Sequence, residues 1–137
     1  MVGILLITHD NLGATLLDIA NKIIGKKTPS IVALNVKETM EIDSVVEKAL
    51  MTIEQIENGK GVIILTDITG ATPFNIVRRL IAPNRIESIS GLNLPMLLRA
   101  ITYQDNDLSD VVKKAEQGGK DGVLKMEQEF SKSHENK

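Results

Sequence analysis

Met1-Val-Gly-Ile-Leu-Leu-Ile-Thr-His9, the opening of the chain, is typical of a strand buried on both faces of a parallel sheet. Val2 through Ile7 is almost continuously apolar and rich in β-branched and Leu side chains. In open α/β sheets, ligands and chemistry sit in the crevice beyond the carboxyl ends of the strands. We therefore expect His9 to stand in that crevice, where an imidazole acts as a nucleophile or a proton carrier near neutral pH.

Strand and helix patterns alternate through the rest of the chain. Helical spacing of apolar residues predicts helices over residues 12–24, 42–57, 72–81 and 108–117, with another opening at Pro95. Strand patterns cover residues 30–36, 61–66 and 85–90, and residues 123–126 are expected as a last strand, antiparallel at the sheet edge. Gly118-Gly119 is expected to break the last helix. Crossover helices between strands predict an α/β fold with four parallel strands.

The composition is that of one ordinary globular domain. The chain has 137 residues, of which 42% are hydrophobic and 25% charged, and its net charge is −2. We expect the domain to span residues 1–126 and residues 127–137 to form a charged tail. Lys and Arg do not cluster, so no nucleic acid is expected, and no signal peptide or membrane span is evident, so a cytoplasmic protein is expected. The absence of cysteine excludes a disulfide scaffold, a thiolate zinc site and a cysteine nucleophile.

Three strand ends are expected to meet at one edge of the sheet. His9 ends the first strand, Asp67 follows the third, and Gly91-Leu-Asn-Leu-Pro95 follows the fourth. Taken alone, each fits a loop cap or a turn equally well. Taken together, a carboxylate beside the imidazole would fix its tautomer and leave the other ring nitrogen free to attack.

The helix predicted to begin at Thr72 provides a candidate anion-binding site. Gly70, Ala71 and Thr72 are small residues with one hydroxyl, and backbone N–H groups at a helix start bind anions. Imidazole, carboxylate and anion cradle in one crevice predict that a phosphoryl group arrives on His9. Positioning and charge stabilisation suffice for such a transfer, so no metal or other cofactor is expected.

These motifs resemble the mannose-family enzyme IIA domain of the sugar phosphotransferase system. The resemblance is carried by Thr8-His9, by Leu65-Thr-Asp67-Ile-Thr-Gly70-Ala-Thr72-Pro-Phe-Asn75 and by Gly91-Leu-Asn93-Leu-Pro95-Met96, and it covers residues 1–124. It implies a doubly wound, mostly parallel sheet with helices on both faces and an antiparallel C-terminal edge strand. It also implies homodimers in which that last strand can pair with the partner subunit.

The resemblance further implies a phosphotransferase that works as a phosphocarrier. His9 would take a phosphoryl group from the phosphohistidine of the small carrier HPr and pass it to a IIB component. Asp67 would orient His9, and Thr72 would place a hydroxyl near the phosphoryl group. The membrane would be involved only indirectly, through a IIC/IID transporter that serves sugar uptake.

Two positions depart from the family pattern. Asp10 stands where the family commonly has Gly after the histidine. We expect its carboxylate to face outward, where Asp10 or Asn11 could cap the first helix. Ile68-Thr69 replaces a bulky aromatic residue that some relatives carry, and this difference bears on which partner docks.

Three other functions share some of these features. A non-transport regulatory module controlled by phosphorylation of His9 is one, because neither an Ala/Pro-rich linker nor a fused IIB domain is expected after the IIA-like region. The phosphotransfer subunit of dihydroxyacetone kinase systems has a similar N-terminal domain but normally continues into further domains. A phosphoaspartate receiver fits less well, since Asp10 alone follows the first strand and no Lys closes a late one.

Overall fold

Strands and helices alternate along the chain, as the apolar patterns predict. The computed structural model describes residues 1–68 and 72–127. The elements are β1 (Gly3–His9), α1 (Leu12–Ile24), β2 (Ile31–Val36), α2 (Ile42–Ile56), β3 (Val62–Thr66), α3 (Thr72–Val77), β4 (Ile86–Ser90), α4 (Leu94–Thr102) and α5 (Leu108–Asp121). The predicted bounds of α1 and β4 agree with these to within one residue.

The four strands form one parallel sheet in the order β2-β1-β3-β4. Leu5 of β1 lies between Val32 of β2 and Ile64 of β3, and this register carries His9 to a position beside Val36. β1 and β3 are therefore the two central strands, and their main-chain bonds fix the places where both strands end.

Helices cover both faces of the sheet, and the predicted doubly wound α/β architecture is confirmed. One face packs against α2 and α3, and its core comprises Leu5, Ile7, Leu34, Val36, Val45, Val46, Ala49, Ile53, Ile56, Val62, Ile64, Ile76, Val77, Leu80 and Ile86. The other face packs against α1, α4 and α5, and its core comprises Val2, Ile4, Leu6, Ala20, Ile63, Leu65, Leu92, Met96, Leu97, Ala100, Leu108, Val111 and Ala115. Successive side chains of β1 alternate between the two cores, as the pleat of a strand requires.

Helix α3 is shorter than the predicted helix over residues 72–81, because it ends at Val77. The chain then tightens through Arg79 N–H to Ile76 C=O and Leu80 N–H to Val77 C=O bonds, both of the i to i+3 kind. Pro83 also disfavours a helical conformation at Ala82, the residue before it. The chain therefore leaves the helical conformation after the buried residue Leu80 and turns towards β4.

Helix α5 is longer than predicted, because it runs through Gly118 and Gly119 to Asp121. Both glycines are buried against α4, where a Cβ atom on Gly118 would lie 2.7 Å from Cβ of Arg99. The expectation that Gly118-Gly119 breaks the helix is therefore wrong. The two residues allow α4 and α5 to approach closely.

The predicted last strand over residues 123–126 is not formed in the single chain. Residues 123–127 belong to no strand, and the side chains of Val123, Leu124 and Met126 are exposed. The sheet described by residues 1–68 and 72–127 is thus parallel throughout, without the antiparallel edge strand. Residues 128–137 of the predicted tail lie outside the described residues.

Candidate functional site

The sheet order places His9 and Asp67 at the point where the chain changes direction across the sheet. From β1 the chain leaves through α1 on one face towards β2, and from β3 it leaves through α3 on the other face towards β4. A crevice forms at such a switch point, beyond the carboxyl ends of two neighbouring strands. His9 ends β1, and Asp67 directly follows β3.

The two side chains are in direct contact. The ring nitrogen Nδ1 of His9 lies 2.8 Å from Oδ2 of Asp67, and the backbone N–H of His9 donates to the same oxygen at 3.0 Å. The other carboxylate oxygen accepts from the backbone N–H of Ile68 at 3.0 Å. His9 is thus held by one carboxylate through both its main chain and its ring.

The environment keeps Asp67 ionised. Burial, the largest single influence, raises the pKa of Asp67, but hydrogen bonds from the backbone and ring of His9 and from the backbone of Ile68 bring that pKa below its ordinary value. An ionised carboxylate only accepts hydrogen bonds, so Nδ1 of His9 is the donor. In the neutral ring the lone pair then resides on Nε2.

The side chains of His9 and Asp67 differ in how much solvent reaches them. The His9 side chain is 43% exposed, whereas that of Asp67 is 9% exposed. A partner can therefore reach the imidazole, while the carboxylate is held mostly out of solvent. This arrangement suits a nucleophile oriented by a buried base partner.

Thr8 anchors the start of α1 beside the site. Its buried hydroxyl accepts from the backbone N–H of Gly13 at 2.8 Å. Asn11 occupies the N-cap position but makes no side-chain cap bond, and its Oδ1 instead accepts from Nδ2 of Asn35 at 3.1 Å. The expectation that Asp10 or Asn11 caps this helix is therefore wrong, because the hydroxyl before His9 takes that role.

Asp10 adopts a left-handed backbone conformation directly after His9. Its φ is 45°, in the left-handed region, and its N–H donates to the carbonyl of Val36 at 2.9 Å. Glycine enters this region freely, while Asp and Asn are the side chains that tolerate it best. The Asp10 side chain is exposed, as expected.

The third strand end also reaches this edge. The backbone N–H of Leu92 donates to the carbonyl of Thr66 at 3.0 Å, which ties the loop after β4 to the end of β3. Asn93 then caps α4 by accepting from the N–H of Met96 at 2.9 Å, with Pro95 in the first turn. Thr72 opens α3, whereas Gly70 and Ala71 lie outside the described residues.

Sequence reasoning missed Thr8 and Asn35 as parts of the site's support. A threonine before the histidine looks like one more β-branched strand residue, and only the register places Asn35 beside it. Within residues 1–68 and 72–127, no group of three or more His, Cys, Asp and Glu could hold a metal ion. No helix in the same ranges is long and apolar enough to cross a membrane.

The family model and the similar sequences all belong to one group, the EIIA and EIIAB components of the phosphotransferase system. A model of the EIIA-man family, described as PTS system fructose IIA component, matches residues 3–116. The mannose-specific EIIAB component of Escherichia coli K12 is 27% identical over 125 residues, which cover 89% of this chain and 38% of that protein. The fructose-specific EIIA component of Bacillus subtilis is 25% identical over 107 residues, or 77% of this chain and 73% of that protein. The chain thus spans well under half the length of the mannose-specific relative.

Solved structures show the same fold. The phosphotransferase component EIIA from Streptococcus agalactiae has a TM-score of 0.81 and 26% identity, covering 91% of this chain and 97% of that one. A IIA protein associated with the fucose utilization operon of Streptococcus pneumoniae has a TM-score of 0.77, at 22% identity, covering 95% and 99%. The resemblance inferred from the sequence motifs is confirmed, and the chain belongs to the EIIA-man family of phosphotransferase system IIA components.

Proposed function

We propose that this protein is a phosphocarrier that accepts a phosphoryl group from phosphohistidine HPr on Nε2 of His9 and passes it to a IIB component. The observation that carries the proposal is the 2.8 Å contact between Nδ1 of His9 and Asp67. This contact fixes the half-exposed His9 ring in one tautomer, with the proton on Nδ1 and the lone pair on Nε2. Membership of the IIA family supports HPr as the phosphoryl donor and a IIB component as the acceptor.

The transfer moves one phosphoryl group between two imidazoles without a change in total charge. The Nε2 lone pair of His9 forms a bond to phosphorus as the P–N bond to the donor histidine breaks. The donor ring keeps the proton on its other nitrogen and leaves neutral. The His9 ring keeps its Nδ1 proton and becomes cationic, and the Asp67 carboxylate stabilises that charge.

Residues 70–72 are proposed as the cradle for the phosphoryl oxygens. Thr72 begins α3 on the same edge of the sheet as His9, and Gly70 and Ala71 directly precede it. Small residues leave room for backbone N–H groups to approach an anion, and the Thr72 hydroxyl adds a donor. These groups, together with His9 and Asp67, form the proposed site.

Labelling with a phosphorylated donor tests this function. Incubation with phosphorylated HPr should place one phosphoryl group on the protein, and His9→Ala should abolish the labelling while circular dichroism stays unchanged. The label should be lost in acid and survive alkali, as expected of phosphohistidine. Labelling of the His9→Ala variant at the unsubstituted rate, or a label destroyed by alkali, would refute the proposal.

We also propose that the protein works in the cytoplasm as a homodimer and is connected to the membrane only indirectly, through a IIC/IID transporter. The outer edge of β4 carries no further strand among the described residues. Val123, Leu124 and Met126 expose 76%, 58% and 68% of their surface in the single chain. A second copy would cover these apolar side chains and supply the edge with a strand partner.

A further inference from the structure

Asp10 carries a charge next to the proposed phosphorylation site. It directly follows His9, its side chain is exposed, and no ion pair joins it to another side chain among the described residues. Lys37 directly follows Val36, the last residue of the adjacent strand β2, but it forms no ion pair with Asp10 within 4.0 Å. Among the described residues, no basic side chain within 4.0 Å therefore offsets the charge of this carboxylate.

The backbone prevents this charge from moving far from His9. The N–H of Asp10 is bonded to the carbonyl of Val36 at 2.9 Å, so its Cα is fixed to the end of β2. Consecutive Cα atoms lie about 3.8 Å apart, and an Asp side chain is short. The carboxylate therefore stays within about one Asp and one His side-chain length of the His9 ring, a separation comparable with the Debye length of about 8 Å at physiological ionic strength.

Resting on the proposed function, we propose that Asp10 raises the phosphoryl-transfer potential of phosphorylated His9. Phosphorylation adds a group of about −1.5 to −2 charges near neutral pH and makes the His9 ring cationic, so the net charge at His9 changes by about −0.5 to −1 and repels a neighbouring carboxylate. The unphosphorylated ring is not repelled in this way. Asp10 therefore destabilises the phosphorylated form selectively, which makes the protein a weaker acceptor from its donor and a stronger donor to its acceptor.

The conformation of Asp10 allows a charge change without a change of fold. Asn has the shape of Asp and tolerates a φ of 45° about equally well, and Gly adopts it without strain. Asp10→Asn and Asp10→Gly thus both remove the charge, through different side chains. Asp10→Glu retains the charge and serves as the matched control, and Glu54→Gln removes an exposed carboxylate from the far end of α2.

The test is the equilibrium distribution of phosphoryl groups between phosphorylated HPr and the full chain. At low salt, Asp10→Asn and Asp10→Gly should shift the equilibrium constant about two- to tenfold towards phosphorylated His9, by Coulomb's law with screening. Asp10→Glu and Glu54→Gln should shift it far less. The effect of Asp10→Asn should shrink at about 1 M salt, where the Debye length is about 3 Å, whereas a purely structural effect would persist.

The possible results distinguish a failure of the Asp10 inference from a failure of the proposed phosphocarrier function. If the unsubstituted chain is phosphorylated on His9 but Asp10→Asn and Asp10→Gly leave the equilibrium constant unchanged, the inference is wrong and the phosphocarrier function stands. A shift in the opposite direction, or one that is independent of salt, also overturns the inference. If the unsubstituted chain takes no phosphoryl group on His9, both proposals fail.

Discussion

Asp67 binds two donors of the same residue, the main-chain N–H and the ring of His9. The main-chain bond fixes the position of the carboxylate relative to the end of β1, and the ring bond fixes the imidazole relative to the carboxylate. The separation of 2.8 Å is typical of a charge-assisted hydrogen bond. One side chain therefore sets the position, the tautomer and the charge stabilisation of the proposed nucleophile.

Replacing Asp67 by Asn should slow phosphoryl transfer about ten- to a thousandfold. The amide can still accept a hydrogen bond, but it carries no charge to stabilise the cationic ring and can turn its NH2 group towards Nδ1. The rate is measured in a single turnover with phosphorylated HPr in excess. Asp105→Asn, an exposed carboxylate beyond α4, is the matched control. A rate equal to that of the unsubstituted protein would show that Asp67 acts only in structure.

Asp67 should also contribute to stability in a pH-dependent way. Its pKa is lowered in the folded protein despite the opposing effect of burial, so the unfolded state binds the proton more readily. This contribution is present above the ordinary value of 3.8 and is lost as the pH falls through the lower folded pKa. Urea unfolding at pH 6 and pH 3 should show a smaller acid-induced loss for Asp67→Asn than for the unsubstituted chain. Equal losses in both proteins would contradict the assignment.

Among the elements, α5 packs closely on α4 because two of its residues at the contact, Gly118 and Gly119, have no side chain. A Cβ on Gly118 would lie 2.7 Å from Cβ of Arg99 and 3.2 Å from the carbonyl oxygen of Pro95. Asn93 adds a bond from its Nδ2 to the carbonyl of Gly119 at 3.0 Å. The pair of helices therefore holds the loop after β4, which reaches the edge of the sheet where His9 lies.

Gly118→Ala should destabilise the protein by about 1–3 kcal/mol, because the new methyl meets atoms close to the α4 backbone that cannot move. The gain in helix propensity, about 1 kcal/mol, offsets only part of this cost. Gly119→Ala should cost less, since its Cβ would meet the mobile methyl end of Met96 at 2.7 Å. Urea denaturation measures both values. A Gly118→Ala variant that is more stable than Gly119→Ala would contradict this packing argument.

The elements also show where sequence patterns suffice and where they do not. The buried strand ending in His9 was predictable because a short apolar run rich in β-branched and Leu side chains is typical of an interior strand. The continuation of α5 through Gly118-Gly119 was not predictable. A helix tolerates glycine where a neighbouring helix packs on it, and the local sequence pattern does not show that neighbour. The end of α3 depends likewise on the burial of Leu80, a tertiary effect.

At the scale of the molecule, the decisive feature is the strand order. The motifs place His9 and Asp67 at the same edge, but they do not specify that β1 and β3 are neighbours. With another order, the imidazole and the carboxylate would lie at least one strand spacing, about 4.8 Å, further apart. The contact between them is therefore a property of the whole sheet. The motifs predicted its participants, and the family resemblance implied that Asp67 orients His9.

The proposed homodimer is tested by the mass of the protein in solution. Light scattering at tens of micromolar should give twice the mass of one chain. Combining Leu124→Ser with Met126→Ser should raise the dissociation constant by at least about a hundredfold, because each buried apolar side chain contributes about 1.5–3 kcal/mol. Leu50→Ser, at a residue 49% exposed on α2, should have little effect. A monomeric mass for the unsubstituted chain would contradict the dimer.

The central claim is that the ring nitrogen facing away from Asp67 receives the phosphoryl group. Phosphorus–nitrogen couplings in the NMR spectrum of the 15N-labelled, phosphorylated protein identify the bonded nitrogen directly. We expect one phosphohistidine, at His9, with phosphorus on Nε2 and a proton on Nδ1. Phosphorus on Nδ1, or on any residue other than His9, would contradict it.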